Sequence, residues 1–261
     1  MAHSTPRKGD AMNIRVIYIL WLRQIKRFFR AKSRIVGAVG QPLLFLIALG
    51  YGIGSVYAKA GQGSYINFLV PGIMAQTVLF SAMFYGAMIM FDKQFGFLKE
   101  TLVAPVSRTS IMLGGALGGA TTAVLQGLIV FIISLALGFR PEHWLLVPLT
   151  IVILSLLSVA IASFSSGIGS FVQDMQGFQA INQFLVFPLY FLSGALYPLQ
   201  HVPNWLRIVA ELNPMSYAVD AMRDTLIGQT HFGLLKDLIV LSITVVVPVA
   251  FGAYRFRHIE A

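Results

Sequence analysis

Residues 60–91 and 109–139 contain no Lys, Arg, Asp or Glu, and neither does the 24-residue run 35–58. About 18 consecutive uncharged, mostly apolar residues are enough to carry a helix across a hydrocarbon layer roughly 30 Å thick. Inside that layer the chain must pair its own backbone N–H and C=O groups, so such runs read as helices. Composition agrees, with 57% of residues hydrophobic and 11% charged, whereas soluble domains carry about 25% charge. The expectation is an all-α integral membrane protein with six transmembrane helices, at about 35–57, 66–91, 109–137, 144–172, 178–197 and 235–254. The sixth starts with Lys236 and Asp237, leaving 238–254 uncharged. Ala58-Lys59-Ala60 mimics a signal cleavage site, but a signal peptide has an apolar core of only about 7–15 residues.

Nine of the nineteen Lys and Arg residues precede residue 35. A net charge of +9 arranged this way is a membrane-orientation signal and does not point to nucleic acid. With six spans, both termini share one side. That side collects fourteen basic residues (the N-terminal arm, Lys93, Lys99, Arg108, Arg255 and Arg257), against Lys59, Arg140, Arg207, Arg223 and Lys236 on the other. The expected localisation is the cell (inner) membrane, multi-pass, with both termini cytoplasmic. There is no cysteine, so no disulfide contributes.

Glycine clusters lie inside the apolar runs: GYGIGS at 50–55, GGALGG at 114–119 and GIGS at 167–170. In lipid, small residues let helices approach closely, while a phosphate-cradling loop would need G-x-x-x-x-G-K-[ST], which does not occur. Ion-coupled carriers usually keep an ionisable residue at membrane depth. Here Asp92 and Asp174 sit at span ends and the five histidines lie in arms, loops and tail. No ATP site is visible either, so transport energy is expected from a partner chain, and this chain is not expected to be an enzyme. The alternatives are an ion-coupled carrier or channel working through broken-helix carbonyls, and a hydrolase built on Ser193 and His201. The second lacks a nucleophile elbow or a third group.

Three segments depart from plain membrane helix. In FDKQFGFLKETLVAPVSR (91–108), Lys93, Gln94, Lys99, Glu100 and Thr101 interleave with Phe95, Phe97, Leu98 and Leu102. This fits a short amphipathic helix that rests on headgroups or seats its aromatics in a cleft of a soluble partner. In the N-terminal arm, Ile14, Ile17, Tyr18, Trp21, Ile25, Phe28 and Phe29 fall on one helical face and Arg23, Lys26, Arg27 and Arg30 on the opposite one. In 194–228, Pro203 can open a helix, Asn213-Pro214 must end it, and a second helix stops at Gly228. Both are too short and too charged to span, which suggests a hairpin that caps the outer side or dips partway in, with Asp220 and Arg223 spaced to pair.

These segments resemble the permease subunits of ABC exporters of the second type, which include daunorubicin-type drug permeases, nodulation lipo-oligosaccharide permeases and polysaccharide or teichoic acid exporters. The resemblance covers nearly the whole chain after residue 12. It is carried by 91–108 and by FLSGALYPLQHVPNWLRIVAELNPMSYAVDAMRDTLIG (191–228). It implies a homodimer, or occasionally a heterodimer, of six-span permeases above two ABC ATP-binding subunits. ATP and Mg are then bound by the partner, with no cofactor or metal on this chain.

By the same resemblance, the cytoplasmic arm 1–34 carries a membrane-surface connecting helix that includes Trp21, Arg23, Lys26, Arg27, Phe28 and Arg30, and 35–261 is the permease domain. Within it, 93–104 is similar to the coupling helix, with Lys93, Gln94, Phe95, Phe97, Leu98, Lys99 and Glu100. Region 198–228 is similar to the extracellular hairpin, with Trp205, Arg207, Glu211, Pro214, Tyr217, Asp220 and Arg223. Substrate would pass between protomers along Phe80, Met83, Phe84 and Met88 of the second span and Asn182, Leu185 and Leu189 of the fifth, although a Met and Phe stripe also serves plain packing. The implied function is export of a hydrophobic or amphipathic substrate (drug, lipid or lipid-linked glycan) from the cytoplasm or inner leaflet. The first span carries no aromatic-rich approach of the kind a sugar exporter would use, which weighs against polysaccharide.

Overall fold

A computed structural model describes residues 12–59, 64–98, 103 and 106–257. The helices are α1 (Ile14–Arg30), α2 (Lys32–Gly52), α3 (Gly54–Lys59), α4 (Tyr65–Gln94), α5 (Arg108–Ala136), α6 (Val147–Phe171), α7 (Met175–Phe191), α8 (Asn204–Leu212), α9 (Pro214–Ile227) and α10 (Leu234–Arg257). No β-strand occurs among the described residues. The starts are set by short polar side chains that accept a backbone N–H the helix itself leaves unpaired. Asn13 takes Arg15 N, Ser107 takes Ser110 N, Asp174 takes Gly177 N, and Asn213 takes Met215 N with Pro214 at the first helical position. Gly228 closes α9 at φ +63°, a left-handed conformation that suits glycine.

Among the described residues, four helices are long and apolar enough to cross a membrane: Tyr65–Gln94, Arg108–Ala136, Trp144–Phe171 and Leu234–Arg257, with a shorter apolar helix over Val36–Gly52. Two expected spans differ. The first breaks at Ile53, so 54–59 form a separate short helix. The fifth stops at Phe191: the Ser193 hydroxyl donates to Tyr190 O and accepts from Ala195 N, and Gly194 at φ +72° turns the chain away. At 17 residues, α7 is about 26 Å long.

The centre of the bundle is α4, nearly continuous in its burial and packed on α2, α5 and α6. The glycine clusters are what let it sit there. In GGALGG, Gly114 and Gly118 face α1, where an added Cβ would lie 2.8 Å from Ile17 O and 2.6 Å from Gln24 Cβ. Gly115 and Gly119 face α4, against the ring of Tyr85. One doublet repeated after four residues therefore serves two helix contacts. Across α4, a Cβ on Gly169 of α6 would lie 2.6 Å from Gly86 O, and the Ser165 hydroxyl bridges Gly86 N and Met83 O.

The hairpin boundaries follow the sequence, and its two helices are placed differently. Although α8 is largely exposed, α9 is buried along almost its whole length and packs on α4, α6 and α10. Its polar residues face partners inside the protein, so charge alone did not hold it at the surface. The GGALGG arrangement predicts that Gly118→Leu costs about 1–3 kcal/mol or more by overpacking, read as a lower thermal midpoint of the purified protein. Gly40→Leu, with nothing within 4 Å of its Cβ position, should leave the midpoint unchanged.

Candidate functional site

A cavity of about 440 Å³ opens between α1, α2, α4 and α5, with α7 contributing Asn182. Its apolar wall includes Phe28, Pro42, Phe80, Phe84 and Met88; its polar groups are Gln24, Gln41, Gln76, Ser81, Gln126, Asn182 and, at the rim, Arg27. Ser81 donates to Gln126. Gln76 is only 3% exposed, yet its Oε1 has no hydrogen-bond partner among the described residues, and Asn182 Oδ1 is in the same position. An amide oxygen withdrawn from water without a donor is costly.

The lining row on α4 is Gln76, Phe80, Phe84, Met88, an i+4 series. Four of the seven residues expected along a substrate path therefore share this cavity: Phe80, Phe84, Met88 and Asn182. Met83 lies off the row, is 1% exposed and belongs to the packed core. Leu185 packs with Ala87, Met90 and Phe178, and Leu189 lies against the main core. Sequence reasoning missed Gln24, Gln41, Gln76 and Gln126 because it looked for charge. The usable signal was an uncharged amide inside an apolar run.

On α1 the apolar face is divided. Ile17, Leu20, Trp21, Gln24 and Phe28 turn towards the protein, and Trp21 Nε1 donates to Thr121 Oγ1 at 3.0 Å. Ile14, Tyr18 and Phe29 remain exposed, as do Arg23, Lys26, Arg27 and Arg30. Arg23 reaches Asp92 at the end of α4, at 3.8 Å. Of the expected coupling segment 93–104, Lys93 and Gln94 complete α4, Gly96 turns at φ +79° and a helical turn resumes at Phe97. Phe95 (70%) and Phe97 (59%) are exposed and Leu98 is buried. Lys99 and Glu100 lie outside the described residues. Nearby, Arg108 Nη1 donates to Arg257 O and Arg257 Nε to Thr109 Oγ1, joining the ends of α5 and α10.

At the opposite end, Arg223 and Asp220 do not pair with each other. Arg223 is buried, its guanidinium 3.7 Å from the centre of the Phe68 ring, with Nε donating to Phe68 O and Nη2 to Gly194 O and Ala195 O. Burial lowers it to about 10 against the opposing pull of Asp220, so it stays a cation at neutral pH. Asp220 instead accepts from Thr230 Oγ1, His231 N and Phe232 N. Tyr217 OH donates to Glu211 O, Arg207 and Glu211 approach at 4.0 Å on the exposed α8, Trp205 is exposed and Pro214 opens α9. Ser193, whose hydroxyl closes the turn after α7, is thereby committed to structure.

An all-helical bundle with several membrane-length helices around a mixed polar and apolar cavity defines a polytopic membrane protein of the permease class. The chain belongs to the ABC-2 type transporter family, which matches residues 15–227. It is 30% identical to the transport permease ycf38 of Porphyra purpurea over 91% of this chain and 82% of that protein. It is 26% identical to nodulation protein J of Rhizobium leguminosarum bv. viciae over 92% and 91%, and 29% identical to the inner membrane transport permease YadH of Escherichia coli K12 over 87% and 89%.

The buried guanidinium yields a prediction. Arg223→Lys keeps the charge but loses the planar fork, leaving carbonyls of Gly194 or Ala195 unpaired at about 1–3 kcal/mol. The thermal midpoint should fall, whereas Arg207→Lys on the exposed face of α8 should not shift it.

Proposed function

We propose that this chain is the transmembrane subunit of an ATP-driven exporter that moves a hydrophobic or amphipathic substrate out of the cytoplasm or inner leaflet. The observation that carries the reading is that one continuous helix lines the cavity and leads into the exposed aromatic turn. At 30 residues, α4 runs about 45 Å, lines the cavity with its 76–80–84–88 row and ends in the exposed Phe95–Phe97 turn. A cytosolic ATPase that seats those aromatics, and itself binds ATP and Mg, would transmit its closure along α4 to the cavity wall. Helix-in-groove docking of this kind uses a few apolar anchors on a short segment.

The same reading gives six crossings, with α2 and α7 completing the four longer helices, and a second copy of the chain completing the pathway. It places both termini in the cytoplasm, because α1 and the ends of α4, α5 and α10 that meet near it are rich in Lys and Arg. A second reading, an ion-coupled carrier, draws on Asp237, fully buried at the start of α10 close to Asp220 and Asp224. Gradient-driven uptake by the chain alone, abolished by Asp237→Asn, would favour it.

Two measurements test the first reading. Phe95→Asp with Phe97→Asp should reduce co-purification with a co-expressed ABC ATP-binding subunit by at least about tenfold, the equivalent of roughly 1.4 kcal/mol, while the permease itself stays folded. Because the chain has no cysteine, single cysteines can be placed freely. One at Thr5 should be shielded from a membrane-impermeant maleimide in intact cells, and one at Gln62 should react.

A further inference from the structure

The cavity beside α1 has a chemistry more specific than grease. Gln76 and Asn182 both line it, the amide oxygens of both, Oε1 and Oδ1, lack a donor among the described residues, and Gln76 is more than nine-tenths buried. Turning either amide over would exchange the waiting acceptor for a waiting donor, and a hydroxyl satisfies both states. Gln126, also buried, already has Ser81. Arg27 stands at the rim, one helical turn from Gln24, while Arg23 takes Asp92. Phe28, Phe80, Phe84 and Met88 supply an apolar wall on the side of the amides. A volume of about 440 Å³ is at the smaller end of ligand pockets, suited to a head group and the first stretch of a chain.

We infer that this cavity binds an amphiphile with a hydroxylated, anionic head group, its hydroxyls on Gln76 and Asn182, its anionic oxygens towards Arg27 and its apolar portion along the α4 phenylalanines. A ligand without hydroxyls leaves both amides as they are, a neutral one gains nothing from Arg27, and a purely apolar one strands every polar group in the wall. The position next to α1, whose exposed Ile14, Tyr18 and Phe29 suit a lipid surface, makes the adjoining leaflet the source of the ligand. The inference deepens the permease reading by naming a substrate class, and rests on it for direction only.

The test uses the purified chain without any ATPase, with ligand retention measured by native mass spectrometry. Phosphatidylglycerol supplies anion and hydroxyls, phosphatidylmethanol the anion alone, an alkyl glucoside hydroxyls alone, and free glycerol phosphate the head without a chain. Phosphatidylglycerol should be retained about tenfold better than each of the others, the scale of one hydrogen bond or charge contact. Gln76→Leu with Asn182→Leu should erase its advantage over phosphatidylmethanol, and Arg27→Gln its advantage over the glucoside. Arg27 is exposed, so that variant tests the idea even if the double variant folds poorly. Equal retention of all four probes, tighter binding of free glycerol phosphate, or preferences unchanged in both variants would overturn the inference. If ATP-driven transport with the partner ATPase persists alongside such a result, the permease reading survives and only the ligand class is wrong.

Discussion

The contact of α4 with its neighbours through glycine is the constraint on which the rest depends. In hydrocarbon there is little hydrophobic drive between helices, so close backbone approach and interhelical hydrogen bonds must hold them. Tyr85 lies on Gly115 and Gly119, Gly86 meets Gly169, and Ser165 bridges into the α4 backbone. With those two sides fixed, a remaining row of α4 lines the cavity. That row runs through Gln76, Phe80, Phe84 and Met88, and it becomes the cavity wall.

A second fixed point lies at the other end of the bundle. Arg223 gathers carbonyls from the start of α4 and from the turn after α7, so α9 becomes a wedge between elements far apart in sequence. Buried cations are tolerated when their donors are used, and here the acceptors are Phe68 O in the first turn of α4 and the carbonyls of Gly194 and Ala195 after α7. Asp220 does the converse job, collecting the N–H groups of the turn before α10. Both charges satisfy helix termini instead of each other.

Function then follows from continuity. The cavity, the cationic face of α1 and the exposed Phe95–Phe97 turn all lie on or beside α4, and α1 is tied to its end through Arg23 and Asp92. The helix is unbroken from the cavity row to Gln94, and Gly96 turns the chain just beyond it.

The sequence by itself determined the class: uncharged runs longer than a bilayer is thick admit only helices, and the proline and glycine positions set the hairpin boundaries at 203, 213–214 and 228. It also identified GGALGG as a packing element, since small residues in lipid have that use. Only the tertiary structure decided which doublet of that motif meets which helix, that α9 is buried, that Asp220 and Arg223 go to separate partners, and that Met83 leaves the lining while Gln76 joins it. The physical reason is the same in each case. Periodicity says which residues share a face, but what that face meets is fixed by backbone approach distances and by unpaired carbonyls and amides contributed by segments far away in the chain.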